Sequence, residues 1–414
     1  MMHHLSVTVT QSLVVFALAG LFTGETSLWG QQFNWGGSIR GYPFLEVEEV
    51  LPDEADPEVK DLFSSRRDAE LLILRFNLET SFSRNIELEI HPLLQFTSPS
   101  LTDSSQLAAH VTPTYLPLEH TFTDSTQGDL TGSLDRFNLK FDYESIRVVA
   151  GRQAVTWGVT YLWPALDLFG PFSPRRVDRD YKPGIDAVRT TIPFGDYSEL
   201  EILAGVLGPS LKRDGTLGAL TRIYLGPLDV GLMAGRFHRD TVAGGFLTAD
   251  LSGTGLRAEV NWTQSGDPTD RLRDRRTFWR VAAGIDRQLA PSVSLTVEWS
   301  FNGYGAGEAS GYLALAGADR IIRGEVNALG RWYSGISTSW QFHPLGALNN
   351  TLLVNWQDPS SLWLPTLSWS TGNNSVLLLG VQVSLGKELL PTGVPRSEYG
   401  SAPNTIFAGF QQYF

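Results

Sequence analysis

The stretch "GRQAVTWGVTYLWPALDLFGPFSPRRVDRDYKPGID" (Gly151 to Asp186) concentrates the groups in this chain best suited to chemistry. Arg175, Arg176, Arg179 and Lys182 stand among Asp167, Asp178 and Asp180. Guanidinium groups present planar donors that fit carboxylates, phosphates and sugar hydroxyls. Proline and aromatic residues make the segment stiff and partly apolar, which suits a loop folded back into the molecule. The alternative is an external loop whose charges are solvated and paired among themselves.

Other chemistry-bearing residues are sparser. His238 near Asp240, and His110 with Ser104 and Ser105, are the only loose combinations for a hydrolase, so no enzyme and no catalytic residue is expected. The seven histidines show neither His-x-x-x-His nor His-Glu-x-x-His spacing, so the sequence indicates no metal site and no cofactor. The run from Glu46 to Asp61 has the acidity to hold divalent cations but reads better as a solvated loop. "DRLRDRR" (Asp270 to Arg276) has the charge to touch lipid phosphates.

The elements that position these residues follow from composition and period. A formal charge of −12 disfavours nucleic acid as a partner, and the absence of cysteine excludes disulfides, thiolate sites and a lipid-anchored cysteine. "LVVFALAGLF" (Leu13 to Phe22) is too short to span a bilayer as a helix and suits a secretory signal, so residues 1–30 read as a signal peptide cleaved between 24 and 31.

From 31 to 414 the chain alternates with period two. In "GLRAEVNWTQ", Leu256, Ala258, Val260 and Trp262 point one way; Arg257, Glu259, Asn261 and Thr263 point the other. By this reading Val260 faces lipid and Asn261 faces water. Eighteen such segments are predicted, near 33–47, 68–82, 86–96, 132–143, 146–155, 184–194, 198–207, 217–225, 228–236, 242–251, 254–264, 277–288, 293–304, 330–342, 350–357, 362–370, 375–385 and 404–414. Sixteen is the alternative count, because the segments between 217 and 251 are weak. Tight turns alternate with long connections at 48–67, 97–131, 156–183, 305–329 and 386–403.

That pattern is the signature of an all-β, closed antiparallel transmembrane barrel of the bacterial outer membrane. The short stretch before the first strand leaves no room for a plug domain. The tail "IFAGFQQYF" keeps alternating to its last residue, so Phe410, Tyr413 and Phe414 are expected to close the barrel and to carry its assembly signal. Trp35, Trp157, Trp262, Trp279, Trp299, Trp356 and Trp363 near strand ends suit interfacial girdles.

A barrel of this size without a plug encloses water. The alternation sends Arg75, Arg136, Lys140, Arg152, Arg222, Arg257 and Arg280 to the lumen, against Glu79, Asp142, Glu199, Glu201, Glu259, Asp286 and Glu298. Candidate pore or constriction residues are therefore Arg136, Arg152, Arg175, Arg176, Arg179, Lys182, Arg257 and Arg280.

"GRQ" followed by "WG", then "DRDYKPGIDAVR" on the return strand, together with the early "FNWGGSIRGY", resembles an element of porin-like barrels related to the alginate-export family. That resemblance implies eighteen strands around an arginine-rich conduit for an acidic polysaccharide. It carries over Arg152, Gln153 and Asp186, whose role it leaves open between anchoring the loop and contacting a substrate; the loop-anchoring candidates are Gln153, Trp157 and Asp186. The expected function is passive diffusion or export of polar, anionic or saccharide solutes. Expected partners are outer-membrane lipid and lipopolysaccharide, the barrel-assembly machinery, and the solutes themselves. The alternatives are a structural or assembly barrel whose loops bind a protein, a channel for hydrophobic substrates, and an outer-membrane hydrolase.

Overall fold

The computed structural model describes residues 26–28, 31–47, 68–98, 114–125, 128–266 and 276–414. Eighteen antiparallel strands form one closed wall. They are β1 (Gln31–Glu46), β2 (Asp68–Ser83), β3 (Ile86–Thr97), β4 (Gly128–Tyr143), β5 (Ile146–Gln153), β6 (Ile185–Phe194), β7 (Ser198–Val206), β8 (Gly215–Tyr224) and β9 (Leu228–Phe237), followed by β10 (Asp240–Leu251), β11 (Thr254–Gln264), β12 (Thr277–Ala290), β13 (Val293–Asn302), β14 (Trp332–His343), β15 (Gly346–Asn355), β16 (Ser360–Gly372), β17 (Ser375–Leu385) and β18 (Thr405–Tyr413). Each pairs with its neighbours in sequence, and β18 returns to β1 with Ser38 opposite Tyr413 and Glu46 opposite Thr405. No plug domain is present among the described residues.

Closure needs a close approach at Gly37. Its N–H donates to the Phe414 carbonyl at 2.8 Å and its carbonyl accepts from Phe414 N at 3.1 Å. A Cβ on Gly37 would sit 2.3 Å from the Arg75 carbonyl oxygen and 2.6 Å from the Phe414 ring, so only glycine fits. The tight turns follow equally local rules. Ser252 and Gly253 both have positive φ, as a two-residue hairpin with the right twist requires.

The facing of the strands obeys the period. Leu217, Leu232, Ile285, Trp299, Ile336 and Leu379 are exposed on the outside, whereas Arg40, Arg75, Glu259, Asn261 and Glu298 are buried inside. Val260 is 38% exposed and outward, as expected, but Asn261 is 0% exposed. The water-facing assignment of Asn261 is therefore corrected: the lumen over this strand is filled by a loop. Arg is expected to be costly at both positions, by roughly 2–4 kcal/mol at Val260 if it lies at the bilayer midplane and by about 1–3 kcal/mol at Asn261 through overpacking. Reversible unfolding in lipid measures both, and native stability for Asn261→Arg would restore the water-facing assignment.

Two further expectations need correction. Trp157 is not in an interfacial girdle but fully buried inside the barrel, because the chain has left the wall by that point. The connection 97–131 is not all loop. Glu119–Ser125 forms a short strand along β4, with Glu119 opposite Ser133 and Ser125 opposite Gly128. β5 pairs with β4 only as far as Arg152 opposite Phe137, so this strand continues the wall where β5 stops. The acidic run 48–61, most of Asp270–Arg276, and His110 with Ser104 and Ser105 lie outside the described residues.

Candidate functional site

Residues 154–184, between β5 and β6, turn inward and cross the lumen. The turn begins at an ion pair. Arg152 and Asp186 face each other on β5 and β6, joined at 2.9 and 3.0 Å. Arg152 also donates to the Leu116 carbonyl at 2.7 Å, and Leu116 N donates back to Asp186 at 2.8 Å. Gln153 Nε2 donates to the Val149 and Ala187 carbonyls at 2.9 and 3.0 Å. These residues, carried over by resemblance, hold the base of the loop.

Beyond the base, the apolar residues of the loop find an apolar sector of the inner wall. Trp157, Leu166, Leu168 and Phe169 pack on Leu203, Leu220, Met233, Phe237 and Phe246. Trp157 stacks edge-on against Phe169 at 5.0 Å and Phe237 at 5.8 Å. Each such side chain, fully buried, favours the packed position by roughly 1.5–3 kcal/mol. Farther round, Leu162 and Trp163 pack against Tyr333, Leu353 and Leu362.

Wall carboxylates then fix the backbone. Glu259 accepts from the N–H groups of Val159, Thr160 and Leu166, the last two at 2.5 and 2.8 Å, and from the Thr160 hydroxyl at 3.0 Å. Glu298 accepts from Tyr161 N at 2.5 Å and Leu162 N at 2.7 Å. Glu201 accepts from the Trp157 indole. Buried carboxylates of this kind need several donors, and the irregular loop backbone needs acceptors. The alternation placed these glutamates in the lumen without revealing what they bind.

On its return the loop spends its own acids on neighbouring groups. Asp178 and Asp180 meet Arg40 on β1 at 2.6 and 3.4 Å, and Asp167 meets Lys182 at 2.5 Å. Tyr413 on β18 donates to Asp180 at 2.6 Å. Tyr181 lies under the Arg75 guanidinium, 3.6 Å from ring centre to guanidinium carbon, and donates to Asn77 at 3.0 Å.

The predicted cations thus divide. Arg152 and Lys182 are ion-paired within the loop and its base. Arg257 pairs with Asp286 at 2.8 Å and lies over the Tyr161 ring. Arg280 is buried beside Glu325 and donates to its carbonyl at 3.0 Å. Arg136 donates to the carbonyls of Asp135 and Lys182, both at 2.8 Å. Among the described residues, no carboxylate comes within ion-pair distance of Arg175, Arg176 or Arg179.

Arg175 and Arg176 lie on a cavity of about 320 Å³ between this loop and the connection from β13 to β14. Arg323, Glu398, Ile321 and Leu329 also line it. The connection carries two short helices, α1 (Tyr312–Ala316) and α2 (Asp319–Ile322). Arg320 ties it to Asp240 at the start of β10, and Arg323 bonds Glu325 within the connection itself. Burial disfavours the Glu325 carboxylate, but Arg323, Arg320 and Arg280 outweigh that and hold it below the usual range. Burial lowers both Arg175 and Arg176, opposed for Arg175 by Tyr399 and Glu398 and for Arg176 chiefly by Asp178. Arg179 is reached by lumen water yet enclosed by the barrel, and that enclosure with Arg176 nearby pushes it down to about 10. All three stay charged at neutral pH.

The loose hydrolase combination does not assemble. Asp240 is taken by Arg320, and His238 Nδ1 instead faces Asp214 at 3.3 Å. Burial, aided by Arg323, pushes the His238 imidazole down to about 4.

No protein-family model matches this chain. No curated protein matches it by sequence. In fold it is similar to the crystal structure of OccAB4 from Acinetobacter baumannii, at 9% identity and a TM-score of 0.55 over 94% of this chain and 99% of that one. A triple mutant of a Rhodopseudomonas blastica porin aligns at 10% identity with a TM-score of 0.48, over 92% of this chain and 100% of that one. The first likeness shows that this chain shares the fold of that protein.

Proposed function

We propose that this protein is a bacterial outer-membrane channel for passive movement of small polar solutes, with a preference for anions. One observation carries the reading: three arginines without carboxylate partners stand on a loop that crosses the lumen, two of them on a cavity of about 320 Å³. Most of the remaining lumen cations pair with carboxylates, Arg136 on backbone carbonyls excepted, which makes these three the cations placed to tip the field on the crossing loop. Charges between low-dielectric walls are poorly screened, and a few suffice to set its sign. The fold supports the membrane setting, since a closed wall with apolar side chains outside satisfies every backbone group in lipid. The resemblance to alginate-export-type barrels extends the solute class to acidic saccharides.

Liposome swelling tests this. At low ionic strength, vesicles carrying the protein are expected to admit a sugar acid severalfold faster than a neutral sugar of equal size. Equal rates, or rates no higher than those of empty vesicles, would contradict the reading.

A further inference from the structure

Three residues of β2 and β3 that the channel reading does not use come together on the lumen wall. Glu89 and His91 are two apart on β3 and share its inner face, and Glu79 lies directly opposite Glu89 on β2. One ligand atom from each lies within 4.8 Å of the others. The His91 side chain is 6% exposed, and its Nε2 is 3.4 Å from Glu89 Oε1 and 3.8 Å from Glu79 Oε1. Neither ring nitrogen has a hydrogen-bond partner. A buried imidazole aimed between two carboxylates without a bond to either is costly unless something joins them.

We propose that Glu79, Glu89 and His91 form a binding site for a divalent transition-metal ion, with zinc(II) the best match. Two ligand atoms at about 2.0–2.1 Å from a tetrahedral ion lie about 3.3–3.4 Å apart, so the His91–Glu89 spacing already fits and Glu79 needs to move only slightly. Glu79 is half-exposed, which leaves it that freedom. One imidazole with two carboxylates suits zinc better than calcium or magnesium, which take oxygen ligands.

The surroundings are compatible with an added cation. Glu89 keeps Oε1 towards His91 while Oε2 accepts from Asn138 at 3.1 Å and meets Lys140 at 3.3 Å, as an outer shell would hold a ligating carboxylate. The nearby cations are already engaged: Lys140 with Glu87 at 2.7 Å, Arg75 with Asp135, and Arg136 with backbone carbonyls. The fourth position opens to the lumen, where water or an anionic solute completes the ion. Tyr181 of the crossing loop lies 6.0 Å from the His91 ring, so the ion sits beside the loop and adds positive charge to the passage. That last consequence rests on the channel reading; the binding does not.

The test is calorimetric titration of the folded barrel with zinc chloride. Native protein is expected to bind one zinc per barrel at this site, and His91→Ala and Glu79→Gln each to weaken it roughly tenfold or more. Cobalt(II) in place of zinc should give the visible absorption of a low-coordinate ion, lost in both variants. Glu79→Gln changes a half-exposed side chain and keeps the fold intact if His91→Ala does not. No zinc uptake by native protein, or uptake unchanged in Glu79→Gln, overturns the site.

Discussion

Removal of Tyr413 and Phe414 is expected to leave almost no folded barrel in the membrane. The two backbone bonds between Phe414 and Gly37 lie at the end of the seam that joins β18 to β1. The Phe414 ring meets Phe76 edge-on at 5.8 Å on the outer face. Tyr413 faces the other way and holds Asp180 of the crossing loop. The truncation therefore shortens the seam, exposes strand edges in a medium without water, and releases the loop at one end. The measurement is the fraction of protein in the membrane that shows heat-modifiable migration. A native fraction would mean that the last two residues are dispensable for closure.

Glu259→Gln combined with Glu298→Gln is expected to free the crossing loop while the wall persists. The two carboxylates together accept five backbone N–H bonds and one hydroxyl bond from residues 159–166. An amide offers a single acceptor oxygen and turns an NH₂ group towards N–H donors, so some of these bonds must break. Charge-assisted bonds contribute about 1.5–3 kcal/mol each. A loss of roughly 2–4 kcal/mol in local stability accelerates amide exchange in the loop by about 30- to 1,000-fold. Channel currents should become larger and noisier with it. Unchanged exchange at residues 159–166 would show that apolar packing alone holds the loop.

The wall was legible because it depends on neighbours in sequence. Period two places Leu256 and Val260 outside and Glu259 inside, and hairpins such as Ser252–Gly253 need only their own residues. The tail could be read for the same reason. Glu119–Ser125 escaped because Phe122 is its only apolar residue, so neither face shows an apolar period, and all seven residues are exposed.

The path of the loop was not legible, since its contacts join residues far apart in the chain. Tyr161 N reaches Glu298 across 137 positions, and Arg40 reaches Asp178 across 138. Those distant partners also decide which charges remain active. In sequence, Arg175, Arg176 and Arg179 stand beside Asp178 and Asp180, and spacing alone leaves open whether those acids pair with them. In the fold, Arg40 and Tyr413 take those acids and Lys182 takes Asp167. The metal-site candidate was missed for a related reason. Its signal is a Glu-x-His pair on one strand face with a glutamate across the ladder, a spacing that helical metal motifs do not share.

The central claim is that the unpaired arginines of the crossing loop set the charge preference of the conduction path. The zero-current potential of single channels across a salt gradient reports that preference directly. It is best read at low salt, where the Debye length reaches about 30 Å at 0.01 M. Native protein is predicted to show a potential of the sign that marks anion preference. Replacing Arg175, Arg176 and Arg179 together with Ala is predicted to bring it close to zero or reverse it. The same potential in native protein and the triple variant would contradict the account and place the loop arginines outside the conduction path.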